Sequence, residues 1–133
     1  GASQQQVLKA FKEAEEYNGP SIILAYSPCI AHKIKGGLTN SGNQAKLATE
    51  CGYWPTFRFD PRLETQGINP FKIDSKEPNW DRYQEFLMNE ARYAQLLDIN
   101  PERAEELYAL NLSEAKRRYK MYKRYAAMDY SAE

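Results

Sequence analysis

The sequence has little of what self-contained catalysis uses. Among 133 residues there are one histidine, His32, and two cysteines, Cys29 and Cys51. A single histidine cannot be told from chance as a member of a nucleophilic triad, and neither a glycine-rich phosphate loop nor a paired-cysteine motif is present. Two cysteines are too few for a secreted disulfide scaffold, which favours a reducing cytoplasm. Net charge is missing as well, since 18 Lys and Arg balance 18 Asp and Glu. That removes the whole-protein electrostatic case for nucleic acid or an anionic membrane and leaves only local patches. The longest apolar run, Ile22-Ile23-Leu24-Ala25-Tyr26, falls far short of the roughly 20 residues a membrane-spanning helix needs. The start, Gly1-Ala2-Ser3-Gln4-Gln5-Gln6, has neither a Met nor a basic or apolar leader, and it reads as a piece of something longer.

What is present should pack, at 42% hydrophobic residues and ten tyrosines, into one domain. Ser3 and Gln6 have capping-box spacing, and Val7, Leu8, Phe11 and Ala14 then recur at helical period, predicting a helix over 4–17 that stops at Asn18-Gly19-Pro20. Ser21 to Tyr26 is apolar without alternation, which predicts a strand buried on both faces, as in parallel sheets. Helix then strand is half of an α/β repeat, and the loop Ser27 to His32 lies beyond the strand's carboxyl end, where such sheets bind ligands. A second helix follows from Ser41, again with capping-box spacing to Gln44, to about Cys51. Tyr53 to Phe59 alternates, with Pro55 making it an edge or irregular strand, and Phe71 to Ile73 offers a hairpin partner.

From Pro78 onward the pattern is helical, with Trp80, Tyr83, Phe86 and Leu87 on one face and a break near Asn89 before Tyr93, Leu96 and Leu97. Asn100 and Pro101 open a last helix that should reach about Ala127, with Tyr108, Leu112, Ala115, Tyr119, Tyr122 and Ala126 as its packing stripe.

Cys29 is the sharpest chemical feature, because a Pro-preceded loop after a buried strand can turn a thiol toward a crevice. Two readings compete, an inert buried thiol and a metal ligand. One thiolate cannot hold a four-iron cluster, so the second reading requires three more cysteines from a longer protein. His32 is either structural or a ligand, and Cys51 reads as helix packing. A disulfide between the two cysteines runs against a reducing setting. The cluster Lys116, Arg117, Arg118, Lys120, Lys123 and Arg124, interleaved with Tyr119, Tyr122 and Tyr125, has the residue types of a nucleic-acid surface. With zero net charge, a solvated basic face over inward tyrosines is the stronger reading.

The string Tyr17-Asn18-Gly19-Pro20-Ser21-Ile22-Ile23-Leu24-Ala25-Tyr26-Ser27-Pro28-Cys29-Ile30-Ala31-His32 resembles the C-terminal part of pyruvate:ferredoxin (flavodoxin) oxidoreductases. Cys51-Gly52-Tyr53-Trp54-Pro55, Arg58-Phe59-Asp60-Pro61, Asn69-Pro70-Phe71, Asp74-Ser75-Lys76, Glu90-Ala91-Arg92-Tyr93 and Pro101-Glu102-Arg103-Ala104 continue it in that family's order, so nearly the whole chain is covered. The resemblance implies an α/β fold: residues 1–78 as the C-terminal part of a thiamin-diphosphate-binding domain with a mostly parallel sheet, and 79–133 as its trailing helical segment. It implies a large cytoplasmic enzyme of anaerobic metabolism, usually a homodimer. That enzyme oxidatively decarboxylates pyruvate with coenzyme A to acetyl-CoA and carbon dioxide and passes electrons through 4Fe-4S clusters to ferredoxin or flavodoxin, using thiamin diphosphate and Mg²⁺.

By the same resemblance, Cys29 is the fourth ligand of the cluster nearest the thiamin. The other three ligands lie upstream, as do the Gly-Asp-Gly stretch and the Asn-containing loop that hold diphosphate and Mg²⁺. No catalytic residue and no cofactor held alone are then expected in this chain, and its expected partner is the rest of the oxidoreductase rather than nucleic acid or membrane. Two positions depart from the family: Lys33 stands where Gly is usual, which bears on the loop path after His32, and Cys51 stands where Ser is common.

Overall fold

The computed structural model describes residues 3–29 and 31–131. Their regular elements are α1 (Gln4–Glu16), α2 (Ser41–Glu50), β1 (Phe57–Phe59), β2 (Phe71–Ile73), α3 (Tyr83–Asn89), α4 (Ala91–Ile99) and α5 (Pro101–Ala126), with single-turn or short 3₁₀ segments before α2, between the strands and before α3. None of these helices is long and apolar enough to cross a membrane.

The helix ends follow local chemistry. Ser3 Oγ accepts from the Gln6 N–H at 3.3 Å, as its cap spacing predicts, and Asn100 Oδ1 accepts from the Arg103 N–H at 3.1 Å with Pro101 in the first turn of α5. The capping box expected at Ser41 and Gln44 is not formed. A 3₁₀ turn, Leu38–Asn40, runs into α2, the Ser41 hydroxyl donates to the Leu38 carbonyl at 2.6 Å, and Gln44 is 1% exposed with its amide directed into the core. After α2 the chain reverses at Gly52, whose φ is +84° and whose missing Cβ would lie 2.6 Å from the Trp80 ring.

The core joins α2, α3 and α5. Leu47, Ala48 and Cys51 meet Tyr83, Phe86 and Leu87, and Ala104, Tyr108 and Ala115 close the third side. Alanines at the crossing points let the helices approach, so the large rings fill the space between them. Of the stripe expected along α5, Tyr108, Ala115 and Tyr119 are buried and Leu112 and Tyr122 half-buried, while Ala126 faces solvent.

Two expectations about the sheet are overturned. The only sheet among the described residues is antiparallel and two-stranded, pairing Phe57 with Ile73, Arg58 with Lys72 and Phe59 with Phe71, rather than mostly parallel. Residues 21–26 form no strand: Ile22 and Leu24 are 86% and 77% exposed. A strand exists through its hydrogen-bonded neighbours, and no described strand lies beside this segment. The run expected over 53–59 is likewise shortened to its last three residues. The Trp54 N–H bonds the Ala48 carbonyl at 2.9 Å, and the Tyr53 ring stacks against Phe86 at 4.2 Å, so the first half belongs to the helical core. What remains is a mixed helix-and-sheet fold dominated by helix.

Arg58 ties the hairpin to α1. Its Nε and Nη2 donate to the two oxygens of Asp74 at 2.6 and 2.9 Å, its Nη1 reaches the Glu13 carboxylate, and Gln6 Nε2 adds a bond to Asp74 at 3.3 Å. Burial works to raise the Asp74 carboxyl, but the bonds from Arg58 and Gln6 outweigh it and hold it below the ordinary aspartate value. The ionised form therefore stabilises the fold above the unfolded value of about 3.9, and that contribution is lost as pH falls through the lower folded value. Asp74→Asn is expected to cost about 2 kcal/mol at neutral pH, since Arg58 keeps only Glu13, and to flatten the acid limb below about pH 4. Urea midpoints across that range read both, and an acid limb as steep as that of the unaltered chain would remove Asp74 from the account.

Candidate functional site

The Cys29 loop is anchored where it leaves and where it rejoins the folded body. On entry, the Tyr26 ring packs against Trp54 and Tyr53 with centroids 5.5 and 6.1 Å apart, and its hydroxyl is directed at Glu90 Oε1, 3.4 Å away. Burial first, and the Glu90 carboxylate second, push the Tyr26 phenol well above the ordinary tyrosine range. On exit, the Lys33 carbonyl accepts from the Ala91 N–H at 3.2 Å, Ile34 is buried and bridges Glu90, and the Lys35 N–H donates to the Asn89 carbonyl at 2.8 Å. Both anchors lie on the break between α3 and α4.

Within the loop, Cys29 is exposed and its thiol is free. The inert buried thiol describes Cys51 instead, which is 0% exposed, has its Sγ 3.7 Å from the Ala48 carbonyl, and is pushed up in pKa by burial. The two form no disulfide. His32 is half-buried. No group of three His, Cys, Asp or Glu side chains able to hold a metal occurs among the described residues. Among the described residues the exposed thiol is that of Cys29.

Lys33 is the one described non-glycine residue with positive φ, at 59°. A left-handed backbone costs a side-chain-bearing residue about 1 kcal/mol, which glycine avoids. The lysine therefore sits in a conformation that glycine adopts without that cost.

The basic, tyrosine-rich end of α5 is turned to the protein's own use. Arg118 Nη2 donates to the Tyr53 carbonyl at 2.8 Å, Lys123 pairs with Glu77 at 3.1 Å, Arg117 pairs with Glu114 at 2.6 Å, and Lys116 lies over the Trp80 ring. Tyr119 is buried with its hydroxyl donating to Glu77, and Tyr122 packs on Phe57. Tyr119 and Tyr122 thus turn inward, while Tyr125 is 42% exposed.

Sequence reasoning missed Glu90. The helix break was visible near Asn89, but nothing in the local pattern pairs residue 90 with residues 26, 34 and 44. Tertiary packing brings them together, with Tyr26 and Gln44 meeting the Glu90 carboxylate and Ile34 lying opposite its backbone.

No family model matches the chain. Pyruvate:ferredoxin oxidoreductase of Moorella thermoacetica is 48% identical to it over 126 residues, which is 95% of this chain and 10% of that protein. Pyruvate-flavodoxin oxidoreductase of Klebsiella pneumoniae is 40% identical over 126 residues, again 95% of this chain and 11% of its own length. The mitochondrial NADP-dependent pyruvate dehydrogenase of Euglena gracilis is 42% identical over 119 residues, 90% of this chain and 6% of its own. The chain spans about a tenth of the length of the first two of these curated relatives.

Proposed function

With this chain a fragment of a much longer oxidoreductase of the pyruvate:ferredoxin/flavodoxin kind, we propose that the full-length protein oxidatively decarboxylates pyruvate with coenzyme A and delivers the electrons to ferredoxin or flavodoxin. In that protein Cys29 supplies one thiolate to a 4Fe-4S cluster whose other three ligands come from outside this chain. The observation that carries the reading is the Cys29 loop, which holds a free, exposed thiol between two anchored ends.

Residues 1–78 belong to the thiamin-diphosphate-binding domain and 79–133 to its trailing helical segment. The exposed apolar side chains of Leu8, Phe11, Ile22 and Leu24 support this assignment, because they are a surface that wants covering by the rest of the chain. Thiamin diphosphate with Mg²⁺, bound by residues outside this segment, supplies the decarboxylation chemistry, and the clusters carry the electrons. This chain's part is placement. Its loop fixes how far the thiolate reaches, and the anchoring bonds restrain it there. The protein acts in the cytoplasm as a homodimer. A nucleic-acid role has less support, since four of the bases on α5 are engaged by the protein itself.

The test is the full-length protein purified without oxygen. It is expected to reduce ferredoxin or flavodoxin in a reaction that needs both pyruvate and coenzyme A and releases carbon dioxide. Cluster-replete, thiamin-loaded protein that does not turn over pyruvate would overturn the assignment.

A further inference from the structure

We propose that Glu90 is the positioning residue of the Cys29 loop, its carboxylate holding the entry arm at the point where its neighbours Asn89 and Ala91 hold the exit arm; the consequence for a cluster rests on the reading of Cys29 given above. Glu90 stands between α3 and α4 with φ −93° and ψ 115°, an extended residue between two helices. That conformation sets it opposite Ile34, with Asn89 and Ala91 on either side bonding Lys35 and Lys33 of the exit arm, while its own carbonyl accepts from the N–H groups of Tyr93 and Ala94, both at 3.0 Å, to start α4. Its side chain serves the other arm. Oε1 receives the Tyr26 hydroxyl at 3.4 Å and Gln44 Nε2 at 2.8 Å.

Gln44 fixes the direction of that carboxylate from inside. It is nearly fully buried in α2, and the same Nε2 also donates to the Phe86 carbonyl at 3.2 Å, so the amide cannot swing without losing a core bond. The donors on Glu90 Oε1 are neutral, and both converge on one oxygen. The two arms are held with unequal strength. The exit arm is a backbone ladder, whereas the Tyr26 contact is long for an O–H···O bond and shares its hold with ring packing. Removing the carboxylate should therefore loosen the entry arm, while keeping an oxygen at the same place should not. Glu90→Gln provides that oxygen.

A nitroxide attached to Cys29 of this chain reads the motion of the loop by electron paramagnetic resonance, because Cys51 is buried and out of reach of the reagent. Glu90→Ala is expected to speed the label's motion by roughly twofold or more, with Glu90→Gln restoring the slow spectrum. Tyr108→Phe, which removes the hydroxyl bond to the Tyr93 carbonyl elsewhere in the core, should leave the spectrum unchanged. An unchanged label in Glu90→Ala, or the same gain in motion from Glu90→Gln or Tyr108→Phe, would overturn the proposal. Should Glu90→Ala lose its helical circular dichroism, Tyr26→Phe removes the entry-arm hydroxyl alone and must still give a faster label. In the full-length oxidoreductase, Glu90→Ala should also shift the resonance of the reduced cluster while leaving the KM for pyruvate as it was. The label experiment needs no cluster, so its failure is distinct from that of the ligand reading, which is judged by iron content.

Discussion

Cys29→Ala in the full-length oxidoreductase is expected to lose one 4Fe-4S cluster per protomer, or to leave it as a three-iron remnant, with nearly all ferredoxin reduction lost. A cluster with three protein thiolates has one iron without its protein ligand, and that iron is the first to leave. The defect should fall on electron delivery and spare pyruvate affinity, because the residues that hold diphosphate and Mg²⁺ are expected outside this segment. Cys51→Ala is the matched control. The same change at a fully buried packing cysteine should cost about 1 kcal/mol of stability with iron content intact. Iron and acid-labile sulfide per protomer, with low-temperature electron paramagnetic resonance of the reduced enzyme, separate the two variants. Full occupancy and an unaltered signal in Cys29→Ala would return that thiol to an exposed side chain without a ligand role.

The largest stability effect is expected at Phe86, which is 0% exposed and stacks on Tyr53 at 4.2 Å in the middle of the three-helix core. Phe86→Ala removes the ring's transfer energy and leaves a cavity that Leu87, Tyr83 and Tyr53 can fill only in part, for a loss of about 3–5 kcal/mol. Against a net stability of about 5–15 kcal/mol for domains of this size, that is a large fraction. The damage should spread to the loop, since Tyr53 is also the surface on which Tyr26 rests. Leu110→Ala, on the exposed side of α5 at 56% exposure, should stay within about 0.5 kcal/mol. Urea midpoints with unchanged slopes measure both, and similar losses at the two sites would show that the core is not where the packing places it.

The helices were legible because their signals are local. The Ser3 and Asn100 caps, Pro101, the Gly52 stop and the α5 stripe each act within a turn or two of the residue concerned, and each is formed, the stripe up to Tyr122 but not at Ala126. The misreadings share a physical origin. Ile22-Ile23-Leu24 has the composition of a buried strand, yet composition does not supply the neighbour that would make it one. Tyr53 and Phe57 share a face by alternation, but the chain bends between them and sends one ring to α3 and the other to α5. Cys29 was identifiable as the residue of interest from its loop and its resemblance. The Glu90 clamp was not, because it is assembled from residues 26, 34, 44 and 90, which no window of sequence contains.

The first helix has an opening equilibrium of its own to be expected from how it is fastened. Nothing on α1 is fully buried, although Val7, Ala10 and Ala14 are half-buried, and the bonds that fasten it to the remainder run through Gln6, Glu13, the Ala14 carbonyl held by Ser21 and the Glu16 carbonyl held by Arg62. Much of that tether is electrostatic, above all the Arg58 to Glu13 pair, so dissolved salt should weaken it while leaving the aromatic core untouched. In hydrogen-exchange terms α1 is expected to behave as a cooperative unit of its own, its amides released by a local event well below the free energy of global unfolding. The rest of the domain is then expected to persist while this helix detaches and rejoins, more often at higher ionic strength.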